Sequence, residues 1–145
     1  MNNPSRRVQD ITSEAEWNTC INLAASYRLI AHFGMLDLIY NHITARVPGS
    51  HKEFLINPYG MMYEEITASS LVKVDLEGNV LFNVDDNFSA NRAGHVIHSA
   101  IHAARHDVES CHSHAHTRRH DSFGAGVRPP AAHTDGYALR CRRLS

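Results

Sequence analysis

Four short β-like runs, Ile43 to Val47, Phe54 to Ile56, Leu71 to Val74 and Val80 to Phe82, stand between two stretches of helical periodicity. Turn chemistry separates them: Pro48-Gly49-Ser50, Asn57-Pro58-Tyr59-Gly60 and Glu77-Gly78-Asn79 supply residues that set or tolerate the backbone angles of chain reversals. The Asp75 to Asn79 segment is short enough to close a hairpin. Ahead of these runs, Ser13-Glu14-Ala15-Glu16 has the S-x-x-E spacing in which a serine oxygen and a glutamate carboxylate satisfy open backbone donors at a helix start. Trp17, Cys20 or Ile21, Ala24, Tyr27 or Arg28, and Ala31 follow at helical steps, and Gly34 suits a helix end, so the spacing predicts a helix over 14–33. A second helix is predicted over 93–105, with Val96, Ile97, Ala100, Ile101 and Ala104 on its apolar, packing side. Helix, sheet, helix within 145 residues predicts one α/β domain with a single core.

Composition narrows the class. Apolar residues make up 43% and charged residues 20%, with no run approaching the roughly 20 apolar residues of a membrane-spanning helix. The first ten residues carry two arginines with no apolar stretch behind them and no small-residue cleavage site, which predicts a cytoplasmic protein. Cys20, Cys111 and Cys141 have no CxxC spacing and are expected to be free thiols. The near-neutral net charge hides a break. From His112 onward, arginines 118, 119, 128, 140, 142 and 143 face only Asp121 and Asp135, whereas the preceding residues are net acidic. This foreign composition predicts a flexible lead-in over 1–12, a domain over 13–108, and a disordered tail over 109–145 that does not join the core.

Two histidine clusters are candidates for chemistry. His112, His114 and His116 alternate, and on an extended strand alternate imidazoles share a face where two could meet one zinc. The same residues also read as a surface tract in a basic tail. On the second helix His95, His98, His102 and His106 share a face. No carboxylate or cysteine sits among them, so they are expected to form a solvated or interfacial stripe opposite the apolar side. The Asn57 to Gly60 turn could offer backbone N–H groups to an anion, but it holds one glycine and no lysine. Glu64 and Glu65 read as a solvated helix start. The tail arginines lack interleaved aromatics, so no specific nucleic-acid partner is expected.

The stretch from Trp17 to Val108, through LAASYRLIAHFGMLDLIYNHITARVPG, FLINPYGMMYEEITASSLVKVDLEGN and NRAGHVIHSAIHAARHDV, resembles the amino-terminal part of the class II aldolase/adducin domain. The resemblance implies a three-layer α/β/α fold around a central, mostly antiparallel sheet, incomplete here at its C-terminal end. Family enzymes use histidine-bound Zn2+ in aldol cleavage or epimerisation of sugar phosphates, which implies a small hydroxy-carbonyl substrate. Adducins are cytoskeletal relatives without that chemistry. Relatives that assemble as tetramers imply a homo-oligomer, and no membrane partner is expected.

Position by position, the aldolase phosphate loop Gly-Asn-x-Ser-x-Arg corresponds to Asn41-His42-Ile43-Thr44-Ala45-Arg46, so Thr44 and Arg46 keep the pattern while the first two positions depart from it. Gly60 matches the glycine of the next substrate loop. The aldolase catalytic glutamate falls four residues before the histidine matching His98, where this chain has Gly94. Loss of that acid/base implies loss of aldolase activity. The family HxH would be met one residue early by His112 and His114, or one residue late by His114 and His116. Permitted codons for residues 110–119, read with one base dropped, give AVIHTHTRAG, and the same shift over 128–139 gives GLLPLTQTAMRF. The sequence therefore reads as a family domain truncated by a frame shift near residue 109 and inactive in aldol chemistry. Its alternatives are an adducin-like interaction module or a fragment without function.

Overall fold

Ser13 starts the longest helix as its spacing predicts, but the glutamate three residues on has a different partner. In the computed structural model, which describes residues 8–35, 41–85, 89–116 and 136–143, the Ser13 hydroxyl accepts from the Glu16 backbone N–H at 3.1 Å. The Glu16 carboxylate turns away from the cap and pairs with Lys73 Nζ at 2.8 Å, tying the helix to the sheet. After a short helical turn, α1 (Val8–Ile11), this helix is α2 (Glu14–His32). It ends at Gly34, whose φ of 65° is in the left-handed region. Gly34 N–H donates to the Ala31 carbonyl and Met35 N–H to that of Ile30, the paired bonds of a Schellman ending.

The strands are β1 (His42–Arg46), β2 (Glu53–Ile56), β3 (Val72–Asp75), β4 (Val80–Phe82), β5 (Val108–His116) and β6 (Gly136–Arg143), with α3 (Arg92–Ala104) between β4 and β5. They form one sheet in the order β4-β3-β2-β1-β5-β6, every neighbouring pair antiparallel. The first four lie within a residue of the runs read from the sequence. The β3–β4 hairpin is held by Asp75, whose carboxylate accepts from the Asn79 backbone and side-chain amides at 2.8 and 2.7 Å.

Strand alternation sorts the core into two layers. Ile43, Ala45, Val47 and Leu55 pack with Cys20, Leu23, Ala24 and Tyr27 of α2. Phe54, Ile56, Val72 and Val74 form the opposite layer, and α3 lies over it, with the His95 and His102 rings stacked on Phe54. The result is the α/β/α layering that the family resemblance implies.

Two expectations are corrected. The helix α3 is turned over relative to its hydropathy: His95, His98 and His102 are 8%, 0% and 0% exposed, whereas Val96 and Ile97 are 60% and 46% exposed. Hydropathy places imidazoles outside because it ignores the partners that await them inside. His106, past the helix end, is exposed beside His51. The boundary at 108 also fails for the residues that immediately follow. β5 runs on to His116, pairing His42 with Ser113, Ile43 with His112, Thr44 with Cys111 and Ala45 with Ser110. A strand ladder is made by backbone groups, and small Cys111 and Ser113 fit the buried face, so charged composition farther along does not prevent it. Within the expected tail, residues 117–135 and 144–145 lie outside the described residues, as do 1–7 of the lead-in; Val8, inside that lead-in, is buried in α1.

Tyr27 locks α2 to β1. Its hydroxyl is fully buried, accepts from the Ile43 N–H at 3.0 Å, and lies within bonding distance of the Ile43 carbonyl and of Asn57 Oδ1. Its ring meets the Tyr63 ring edge-on at 4.6 Å. Tyr27→Phe leaves these buried groups short of a partner and should destabilise the fold by about 1 to 3 kcal/mol. Urea unfolding followed by Trp17 fluorescence reads this directly; a change within about 0.5 kcal/mol, the size of an inconsequential surface substitution, would contradict it.

Candidate functional site

Period-two alternation on β1 sends His42, Thr44 and Arg46 to the α3 side, away from the Ile43, Ala45 and Val47 layer. Helical spacing on α3 brings Gly94, His98 and His102 down onto the same strand. Asn91 caps the helix, its side-chain oxygen accepting from the Ala93 and Gly94 N–H groups at 3.0 and 3.4 Å. The capped helix thereby presents its histidines to a row of hydroxyls.

Thr44 is the centre. Its Oγ1 lies 2.7 Å from His98 Nδ1 and 2.9 Å from His102 Nε2, and all three residues are fully buried. His98 Nε2 continues to Ser113 Oγ on β5 at 3.0 Å, and Ser113 donates to the His42 carbonyl at 3.4 Å. One proton assignment satisfies every bond: His102 Nε2–H to Thr44, Thr44 O–H to His98 Nδ1, His98 Nε2–H to Ser113, and Ser113 O–H to the carbonyl. It leaves His102 Nδ1 as a bare acceptor, in keeping with that atom's lack of a partner among the described residues. Burial holds His98 down to about 3, helped by neighbouring His42, His102 and His112. Burial also holds His42 and His102 down to about 4, the Arg46 charge adding to the effect on His102. The three imidazoles are neutral, and those of His98 and His102 serve as hydrogen-bonding groups.

His42 takes the space beside Gly94. A Cβ built at Gly94 would stand 2.6 Å from the His42 ring carbons and 2.9 Å from its Nδ1. Any side chain at position 94, a glutamate included, would collide with this ring. The His42 Nε2 is buried without a hydrogen-bond partner among the described residues.

The residues singled out by sequence fall in different places. Arg46 caps the end of α3: its guanidinium donates to the carbonyls of Val108, His51, His102 and Arg105 at 2.7 to 3.0 Å. Thr44 is inside the buried network. Gly60 sits in an exposed turn with φ 85° and open space where a Cβ would be. The geometry does not bring these three into one pocket. A cleft of about 530 Å³ opens between α2, the β1–β2 turn and the start of β5, with Arg46, His51 and His106 at its rim; His42, His98 and His102 are not among its described lining residues.

In register, His112 stands opposite Ile43, on the α2 side, while Ser113 stands opposite His42, on the α3 side. A one-residue offset on a strand exchanges the two faces, so the displacement read in the sequence has a definite geometric result. The side chains of His114 and His116 lie outside the described residues. Among the described residues, no group of three His, Cys, Asp or Glu side chains is placed to hold a metal ion. Both ring nitrogens of His98 and the Nε2 of His102 are already bonded to hydroxyls. Sequence reading missed the inward face of α3; the pairing of β1 Thr44 with helical histidines four residues apart was the available signal.

The profile of the Class II Aldolase and Adducin N-terminal domain matches residues 21–139, running past the boundary that composition draws at 108. A Pseudomonas aeruginosa relative named as an aldolase class 2 protein is 56% identical over 110 residues, covering 76% of this chain and 41% of its own length. Rat alpha-adducin is 53% identical over 95 residues, 66% of this chain and 13% of the adducin. The crystal structure of an aldolase II superfamily protein from Pseudomonas syringae superposes with a TM-score of 0.72 at 50% identity, covering 77% of this chain and 43% of that one. The chain spans about half the length of the bacterial relatives it matches.

Neutral burial of three histidines makes stability depend on pH. Their folded pKa values lie below the ordinary value near 6.5, so their contribution is complete above that pH. As pH falls, the unfolded chain takes up protons that the folded chain refuses, and each group removes up to about 1.4 kcal/mol per pH unit. Three together give at most about 4 kcal/mol per unit, against a total stability of roughly 5 to 15 kcal/mol. Urea unfolding should therefore show stability falling steeply from about pH 6 toward pH 4, less steeply in His98→Gln. A wild-type profile that is level between pH 7 and 5 would contradict neutral burial.

Proposed function

As the chain belongs to the class II aldolase and adducin family, we propose that it keeps the family's sheet and helices without carrying out zinc-dependent aldol cleavage or epimerisation of small hydroxy-carbonyl phosphates. The observation that carries this reading is the contact between His42 and Gly94. The two departures from the aldolase pattern are one departure in space. The ring that replaces the loop asparagine fills the room a glutamate would need, and glycine is what position 94 tolerates.

The parity of the HxH segment supports the same reading, since His112 lies on the sheet face opposite Ser113 and the α3 histidines. An adducin-like interaction module is the second reading. It is favoured by Val96 and Ile97, which α3 turns outward as an apolar surface while its histidines face the sheet. The frame-shift reading of the residues after 108 is tested separately, by the nucleotide sequence of codons 108 to 112 read in all three frames.

Aldol cleavage of sugar phosphates should stay at the buffer rate with added Zn2+, because absence of a general acid/base by itself forfeits a factor of about 100 to 10,000. Calorimetric titration should find no tight stoichiometric zinc site. Metal-dependent turnover above buffer, or a one-to-one zinc complex that survives dialysis and is lost in His112→Ala with His114→Ala, would overturn the proposal. The paired variant His42→Asn with Gly94→Glu should fold better than Gly94→Glu alone, since the first change removes the ring that the second would strike.

A further inference from the structure

Cys111 and Cys141 face each other across β5 and β6. They are direct partners in the antiparallel register, their sulfurs are 2.9 Å apart, and they are separated by 30 residues of chain. Directly opposed residues in such a ladder have Cα atoms about 4.5 or 5.5 Å apart, inside the span of about 4.4 to 6.8 Å that a disulfide requires. We propose that this pair is a thiol-oxidation site, closed to a disulfide by a small anionic disulfide and reopened by the corresponding thiol.

The two positions divide the work. Cys141 is exposed and Cys111 is buried, so an incoming oxidant reaches Cys141 first. Arg142, exposed next to it in sequence, favours an anionic reagent. The Cys141 thiolate attacks one sulfur of the small disulfide, whose S–S bond breaks; one small thiolate leaves and takes up a proton. Cys111 then gives its proton to solvent and attacks the Cys141 sulfur of the mixed disulfide, expelling the second small thiol. Two protein thiols and one disulfide become one protein disulfide and two small thiols, and two electrons pass from the protein to the reagent. Burial raises the Cys111 thiol well above its ordinary range, so it is the less reactive of the two and attacks second, through its contact with the Cys141 sulfur.

Cys20 does not compete. It is packed in the α2 layer, with its thiol pushed up to about 11 mainly by burial. Cys111 stands opposite Thr44 on the α3 side of the sheet, so the two lie on opposite faces. Oxidation would join β6 covalently to the strand that carries Ser113 and the end of the histidine network.

The test equilibrates the reduced full chain with glutathione buffers of graded disulfide-to-thiol ratio, followed by acid quenching, alkylation and peptide mass analysis. The expected product is a monomer lighter by two hydrogens, with the Cys111 and Cys141 peptides linked, Cys20 still alkylated, and a linked fraction that rises and falls reversibly with the ratio. Cys111→Ser should instead accumulate a glutathione adduct on Cys141, and Cys20→Ser should behave as the wild type. A stable adduct on wild-type Cys141, a link through Cys20, a disulfide dimer, or two free thiols at every ratio would each overturn the proposal.

Discussion

The Thr44 hydroxyl, held between two buried imidazoles, is the contact on which the arrangement of this half of the molecule depends. It joins the central strand β1 to α3, and through His98 it reaches Ser113 on β5. A buried polar group without a partner costs about 1 to 3 kcal/mol. Burying His98 and His102 is therefore tolerable only where hydroxyls meet them, and those hydroxyls stand on two different strands. The network selects which face of α3 packs inward, against the preference of Val96 and Ile97. Arg46 completes the attachment by bonding the carbonyls at the end of the same helix.

Much of the frame could be read from local chemistry. The Ser13 cap, the Gly34 ending, the Asp75 to Asn79 hairpin and the first four strands all follow from short-range preferences, which act over a few residues and leave clear marks in sequence. The rotation of α3 did not follow. Its hydropathy pattern has an apolar side, but the face that is buried is decided by partners more than 50 positions away at Thr44. Strand β5 was obscured for a related reason: its pairing is made by backbone groups, and the arginine-rich composition beyond it says nothing about whether residues 109 to 113 complete a ladder with β1. Of the candidate site residues, Arg46 meets carbonyls of its own chain at the end of α3, contacts that a motif match does not announce.

The family relationship and the local departures from it fit one account. His42 and Gly94 are complementary in volume, so neither substitution is independent of the other. A glutamate could return to position 94 only if the ring at 42 left. The histidines that the sequence advertises most openly, in the HxH segment, begin with His112 on the other side of the sheet from this network. The fold preserves the layer structure, and the proposed loss of aldol chemistry rests on the side chains between β1, α3 and β5.

The protonation and tautomer of His98 test that account most directly. Nitrogen NMR of imidazole-labelled protein at pH 6, where an exposed imidazole is mostly protonated, should show His98 neutral with its proton on Nε2, and His42→Asn and Ser113→Ala should identify and perturb its signal. A His98 resonance that titrates near pH 6.5, or one carrying both protons at pH 6, would mean that the Thr44 bridge does not hold the helix to the sheet.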